Sequence, residues 1–203
     1  MVAIITGDII NSEEHTFSDW IPVLKKYFST IGQTPRDWEI YRGDEFQLKV
    51  AKEEALRTAI HVKAVIKSIK NLDVRMGIGL GKETFTGAGV SESNGPAYQR
   101  SGRSFEGLKE RKLNLSIATG NKEQDRALNL ILKLALDFMD DWSTVSAEIV
   151  AIALEHPSAS QNEIAKQLHI QQSAVSQRQK RARLDLIQEV LDFYTHTLSK
   201  TGL

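Results

Sequence analysis

The stretch Trp38-Glu-Ile-Tyr-Arg-Gly-Asp-Glu-Phe-Gln-Leu-Lys-Val50 alternates apolar and polar residues on either side of Arg42-Gly43-Asp44-Glu45. A period of two marks half-buried strands, and a glycine supplies the backbone freedom that a tight hairpin connection needs. The stretch therefore reads as two short strands joined by a turn that carries Asp44 and Glu45. A second acid, Asp8, follows the apolar run Val2-Ala-Ile-Ile-Thr6 across Gly7, so a first strand also ends in Gly-Asp. Carboxylates at adjacent strand ends suit Mg²⁺, which takes hard oxygen ligands and is commonly held by one or two acids plus substrate phosphates. Asp8 and Asp44 are the metal candidates, with Glu45 in reserve because, next to Asp44 on an extended chain, it points to the other side. The alternative is that both Gly-Asp pairs are ordinary turn residues.

Outward from the hairpin, apolar residues of Phe17–Phe28 recur at helical spacing until Gly32 and Pro35 stop them. Ala55, Ala59, Val62, Ile66 and Ile69 form one stripe of a second helix between Lys52 and Lys70. A strand over 73–80 follows, with Gly77, Gly79 and Gly81 on alternate positions. The order β-α-β-β-α-β predicts an α+β, ferredoxin-like domain over residues 1–120, with two helices on one sheet face and the other face left bare by the glycines. Pro96 to Lys109 reads as a third helix whose Tyr98, Arg100 and Arg103 lean toward whatever occupies that face, and 113–118 as a fifth strand.

After Gly120 the period changes to long helices. Leu128, Ile131, Leu132, Ala135, Met139 and Trp142 make one stripe, and Leu130, Leu134 and Phe138 broaden it. A helix apolar over so much of its girth is buried in its own chain or against a second copy, so 121–143 reads as a connecting helix and a candidate dimer contact. Residues 144–203 are expected to form an all-α module. Thr144 to Glu155 is a helix stopped by Pro157, Ser160 and Glu163 form a capping box, and Ile164, Leu168, Ile170 and Val175 fall in the angle between two helices, as in a helix-turn-helix. The second of these carries Gln171, Gln172, Ser173, Ser176, Gln177, Arg178, Lys180, Arg181 and Arg183 with no acid before Asp185. Those are phosphate-contacting and groove-reading residue types; the alternative is an ordinary basic surface helix. His169 stands at the turn, where glycine is usual.

Composition narrows the classes. At 203 residues, 41% hydrophobic and 26% charged, the chain has material for one large or two small cores. No apolar run approaches the roughly 20 residues of a membrane span, and no basic stretch precedes the first strand, so a cytoplasmic protein is expected. Zero cysteines exclude disulfides and thiolate chemistry, and the five scattered histidines lack paired ligand spacing, which argues against zinc. With 26 basic and 26 acidic residues, a DNA surface has to come from local charge separation.

The Gly7-Asp8-Ile9-Ile10 segment, the Arg42-Gly43-Asp44-Glu45-Phe46 hairpin and the strand containing Arg75, Gly77 and Gly79 together resemble the palm domain of nucleotidyl cyclases and GGDEF diguanylate cyclases. With the C-terminal module added, the whole chain is similar to the bacterial SatD family, whose members carry this Gly-Asp-Ile-Ile-Asn-Ser start and Arg-Gly-Asp hairpin and are linked to regulation and stress tolerance. The cyclase resemblance implies two metal-binding acids, Asp8 and Asp44, and a nucleotide held by Arg42, Gly43, Gln99, Arg100 and Arg103. The hairpin departs from the pattern at Arg42, where GGDEF has its first glycine. The asparagine and arginine that grip the triphosphate in cyclases have no counterpart in register within Tyr98-Gln-Arg-Ser-Gly-Arg103. Acids without their cationic clamp favour binding over turnover.

The expectation is a dimeric transcription regulator whose ferredoxin-like palm binds a nucleotide with Mg²⁺ and whose winged or tetrahelical helix-turn-helix binds double-stranded DNA. A metal-dependent nucleotide cyclase or nucleotidyltransferase is the alternative, and a palm serving only as a dimerisation scaffold is the second.

Overall fold

The computed structural model describes residues 1–41 and 43–200. Five strands form one mixed sheet in the order β2-β3-β1-β4-β5. The strands are β1 (Val2–Ile10), β2 (Trp38–Tyr41), β3 (Glu45–Ala51), β4 (Asp73–Gly81) and β5 (Leu115–Ala118). Neighbours pair antiparallel except β4 and β5, which are parallel. Helix α1 (Phe17–Ile31) joins β1 to β2, and α2 (Ala55–Lys67) joins β3 to β4. Helices α3 (Pro96–Glu106) and α4 (Leu108–Arg111) precede β5. Then come α5 (Lys122–Met139), α6 (Thr144–Glu155), α7 (Gln161–Gln167), α8 (Gln172–Ala182) and α9 (Leu184–Ser199).

The alternation of β1 sorts its side chains between two cores. Ala3, Ile5 and Ile9 join Phe46, Leu48, Val74, Met76, Ile78 and Leu80 in the larger one, under α1 and α2. Ile4 points the other way, to Val90, Ala97 and Tyr98. Here the expectation of a bare face is corrected, because α3 itself lies on it. A Cβ built on Gly77 would come within 2.4 Å of the Phe105 amide nitrogen, and one on Gly81 within 2.7 Å of that of Ala97. Glycine on alternate positions lets a helix backbone settle on the strand backbone, and the buried Ser101 hydroxyl bonds Thr6 Oγ1 at 2.7 Å and the Gly77 carbonyl at 2.9 Å. The sheet is therefore covered by helices on both sides.

Several boundaries also shift. The helix expected over 52–70 begins as a 3₁₀ turn at Lys52–Glu54 and ends at Lys67, and the one expected over 96–109 is divided at Gly107. The fifth strand starts at Leu115 rather than at 113.

The C-terminal helices are not set apart from the sheet domain. One continuous core cluster runs from Ile5 and Ile60 through Leu132 and Ile149 to Tyr194. Helix α6 packs on α2, where Arg57 Nη2 donates to the Leu154 carbonyl at 2.9 Å, and the Tyr194 hydroxyl donates to that of Lys52. The buried Trp142 indole N–H donates to the Ala182 carbonyl at 3.0 Å, tying the end of α5 to the end of α8. Among the described residues no helix is long and apolar enough to cross a membrane.

Candidate functional site

Register decides what Asp8 faces. Its Cα partners are Glu45 on β3 and Arg75 on β4, and Glu45 is in turn paired with Tyr41 on β2. Directly opposed residues point to the same side of a sheet, so Tyr41, Glu45, Asp8 and Arg75 form one row across four strands, on the face that α3 partly covers. In the next row Gln47 Nε2 donates to Thr6 Oγ1 at 3.2 Å, and Ser101 of α3 bonds the same hydroxyl.

Glu45 is the first residue of β3, not part of the turn, and it is the acid that shares a row with Asp8. Asp44 lies in the turn, where its carbonyl accepts from the Ile9 amide at 3.2 Å and its Oδ2 from the Ser12 hydroxyl at 2.8 Å. Gly43 has φ 88, left-handed backbone that glycine adopts freely, with the exposed Phe17 ring over it. Arg42 lies outside the described residues.

Asp8 is held by a guanidinium. Arg75 Nε donates to its Oδ1 at 3.0 Å and Nη2 to its Oδ2, a bidentate fork between half-buried groups. The hydrogen bond to Asp8, outweighing desolvation, holds the Arg75 guanidinium above its already high ordinary range, with help from the charges of Asp8 and Asp44. The fork bears directly on a metal. No cluster of three or more acidic or histidine side chains with metal-binding geometry forms among the described residues, and a cation at Asp8 has to displace Arg75. Two carboxylates match the sparse protein ligation typical of Mg²⁺, but Asp8 is taken up by the Arg75 fork and Asp44 Oδ2 by the Ser12 hydroxyl, and both have to be released before the pair could hold such an ion. Arg75 has a readable signal: it lies two residues before Gly77 on one strand, hence on the same face.

The arginines expected to grip a nucleotide lie elsewhere. Arg100 Nη1 donates to the carbonyls of Leu80 and Thr119, at the far end of β4 from Arg75. Five residues of strand separate Leu80 from Arg75, about 17 Å. Gln99 and Arg103 are exposed. Arg100 and Arg103 line a separate cleft of about 480 Å³ with Arg111, Ser116 and Asn129, over β5 rather than β1.

In the C-terminal module, α7 opens with the expected capping box, the Ser160 hydroxyl accepting from the Glu163 amide at 3.3 Å and Glu163 returning the bond at 2.7 Å. His169 sits at φ 54 in the turn to α8, a left-handed position that costs a non-glycine residue. Ile164 and Val175 are buried in the core, and Leu168 and Ile170 are partly buried against the same core. Gln171, Gln172, Ser173, Ser176, Gln177, Lys180, Arg181 and Arg183 are exposed. Positions 172, 176 and 180 and positions 173, 177 and 181 make two adjacent columns at helical spacing. Arg178 is half-buried and pairs with Glu148 of α6 at 3.4 Å, so it faces the neighbouring helix.

No curated protein is detectably similar to the chain. Among known families, the match spans residues 1–190, covering the sheet and nearly all of the helical module, and on that extent the chain belongs to the SatD family.

Proposed function

We propose that this protein is a DNA-binding transcription regulator, with α7 and α8 as its helix-turn-helix and α8 as the recognition helix. We read the sheet with α1 and α2 as a ferredoxin-like palm that takes a nucleotide together with Mg²⁺. The observation that carries the reading is the exposed face of α8, two columns of amide, hydroxyl and cationic side chains without a carboxylate. Long polar side chains of this kind reach base edges and phosphates when a helix lies in the major groove.

Binding to genomic fragments, followed by fluorescence anisotropy, is expected to weaken steeply with salt. Lys180→Ala with Arg181→Ala lowers affinity at least about tenfold at 0.1 M salt and reduces the log–log salt slope by about 2, one for each cation withdrawn from a phosphate. Arg178→Ala has the smaller effect, since that side chain is turned toward Glu148. Absence of salt-dependent DNA retention removes the reading.

The second reading is a metal-dependent nucleotidyl cyclase or nucleotidyltransferase. What favours it is the placing of Glu45 beside Asp8, with Asp44 one residue away at the turn. The Arg75 fork and the remoteness of Arg100 count against turnover. Thermal melts with ATP or GTP and Mg²⁺ are expected to rise by several degrees for a ligand well above its Kd, and Asp44→Asn abolishes the rise. Pyrophosphate release from either nucleotide, lost in Asp44→Asn, reverses the order of the two readings.

A further inference from the structure

Helix α5 buries Leu128, Leu132, Ala135, Leu136 and Met139, yet Leu130 and Leu134 on its outer side remain 59% and 65% exposed. Leu134 borders a groove of about 370 Å³ between α5 and α9, with Ile131, Phe138, Leu186 and Val190 on its floor and Asp137, Arg183 and Glu189 as its charged lining. The two helices run antiparallel: Arg183 at the start of α9 lies over Phe138 near the end of α5, and Gln124 near the start of α5 donates to the Thr197 carbonyl near the end of α9. Two antiparallel helix pairs that each leave apolar side chains uncovered can bury them by packing face to face, as in four-helix bundles.

The charges on the rim say what covers it. Arg126 and Asp137 are exposed and make no ion pair among the described residues, and they lie beside the leucine pair, with Asp137 at the lip of the groove. At 100° per residue they lie within about 20° of each other around the helix and about 16 Å apart along it. A two-fold axis in the plane of contact, perpendicular to α5 and level with residues 131 and 132, carries the Arg126 end of one helix onto the Asp137 end of its copy. Both ion pairs then form at once, Leu130 and Leu134 interleave at the axis, and the two α5–α9 grooves close on each other. An isologous interface requires such self-complementarity.

We propose that the protein forms a two-fold homodimer through α5 and α9, in which α5 crosses its copy antiparallel and Arg126 of each chain pairs with Asp137 of the other. The inference stands apart from the DNA-binding reading, because it uses no residue of α8. Sedimentation velocity on the full chain over a micromolar concentration series tests it. The wild type sediments with twice the chain mass, and L134E sediments as a monomer. R126D and D137R each weaken the dimer at least about tenfold by setting like charges together, and the double variant R126D/D137R returns to within about threefold of the wild type. Because Arg126 and Asp137 are exposed, these three variants remain informative even if L134E does not fold. A wild type that is monomeric throughout overturns the proposal. So do single reversals that leave association unchanged, or a double reversal that fails to restore it.

Discussion

Gly79→Ala is expected to cost about 3 kcal/mol or more of stability, at the upper end of overpacking effects, and to lower the melting temperature by about 6–12 °C for a chain of this length. The reason is where its new methyl group would go. A Cβ at Gly79 would stand 2.2 Å from the Ala97 carbonyl oxygen and 2.2 Å from the Ser101 amide nitrogen, both backbone atoms of α3. No rotamer change relieves a clash with backbone, so the helix has to lift, and lifting it strains the bonds from Ser101 to Thr6 and Gly77. Gly102, on the same helix, has nothing within 4 Å of its added Cβ. Gly102→Ala is therefore expected to be neutral or to stabilise by up to about 1 kcal/mol, as glycine-to-alanine changes do inside helices. Melts followed by circular dichroism separate the two. If Gly79→Ala melts within about 2 °C of the wild type, on the scale of a change below about 1 kcal/mol, α3 does not lie on β4.

Lys63→Met is expected to cost about 3 kcal/mol. Lys63 has no solvent exposure, and its Nζ sits 2.7 Å from Asp73 Oδ1 and 2.6 Å from Asp140 Oδ1. Lys67 reaches the same pair of residues, with Nζ 3.1 Å from Asp73 Oδ2 and 2.7 Å from the Asp140 carbonyl. Two lysines of α2 thus clamp the start of β4 to the end of α5. Methionine keeps most of the volume but leaves Asp140 without its cation, while Lys67 still partly neutralises Asp73. Asp140 Oδ1 is buried, but its Oδ2 accepts from Asn114 Nδ2 at 3.1 Å and the side chain keeps 34% exposure, so the carboxylate is not wholly desolvated, which holds the expected cost at the lower end of the range for broken buried pairs. Adding Asp140→Asn is expected to recover about half of the loss, giving a coupling of about 1–2 kcal/mol in a double-mutant cycle by urea unfolding. Additive losses would show that the two side chains do not interact.

The local elements are largely legible in the chain. Period-two alternation around Gly43 marks the hairpin, the run before Asp8 marks β1, and the Ser160–Glu163 capping box marks the start of α7. The left-handed turn at His169 follows from its place between two helices. These features rest on neighbours within a few residues, where propensity and side-chain period decide the outcome. The site is less so. Alternation counted from Asp44 puts Glu45 on the wrong side for Asp8, because a turn boundary one residue later reverses the face of every residue beyond it. Arg75 can be put on the glycine face by alternation, but that it closes on Asp8 depends on the register of β1 against β4.

The glycines of β4 show the same division. Their spacing states that one sheet face carries no side chains, and nothing nearby in the chain says that α3 fills it. A similar gap surrounds α5, whose girth is readably apolar while the exposure of Leu130 and Leu134 emerges only from the packing of α9. By itself the sequence determined the elements, the acids and the acid-free basic helix α8, because hydrophobic period, capping and charge pattern act over one or two turns of chain. Tertiary structure alone decided which of these groups meet: Asp8 with Arg75 and Glu45, Arg100 with the far end of the sheet, α3 with the bare glycines. Such meetings are set by strand register and by packing between segments far apart in the chain, which no local pattern encodes.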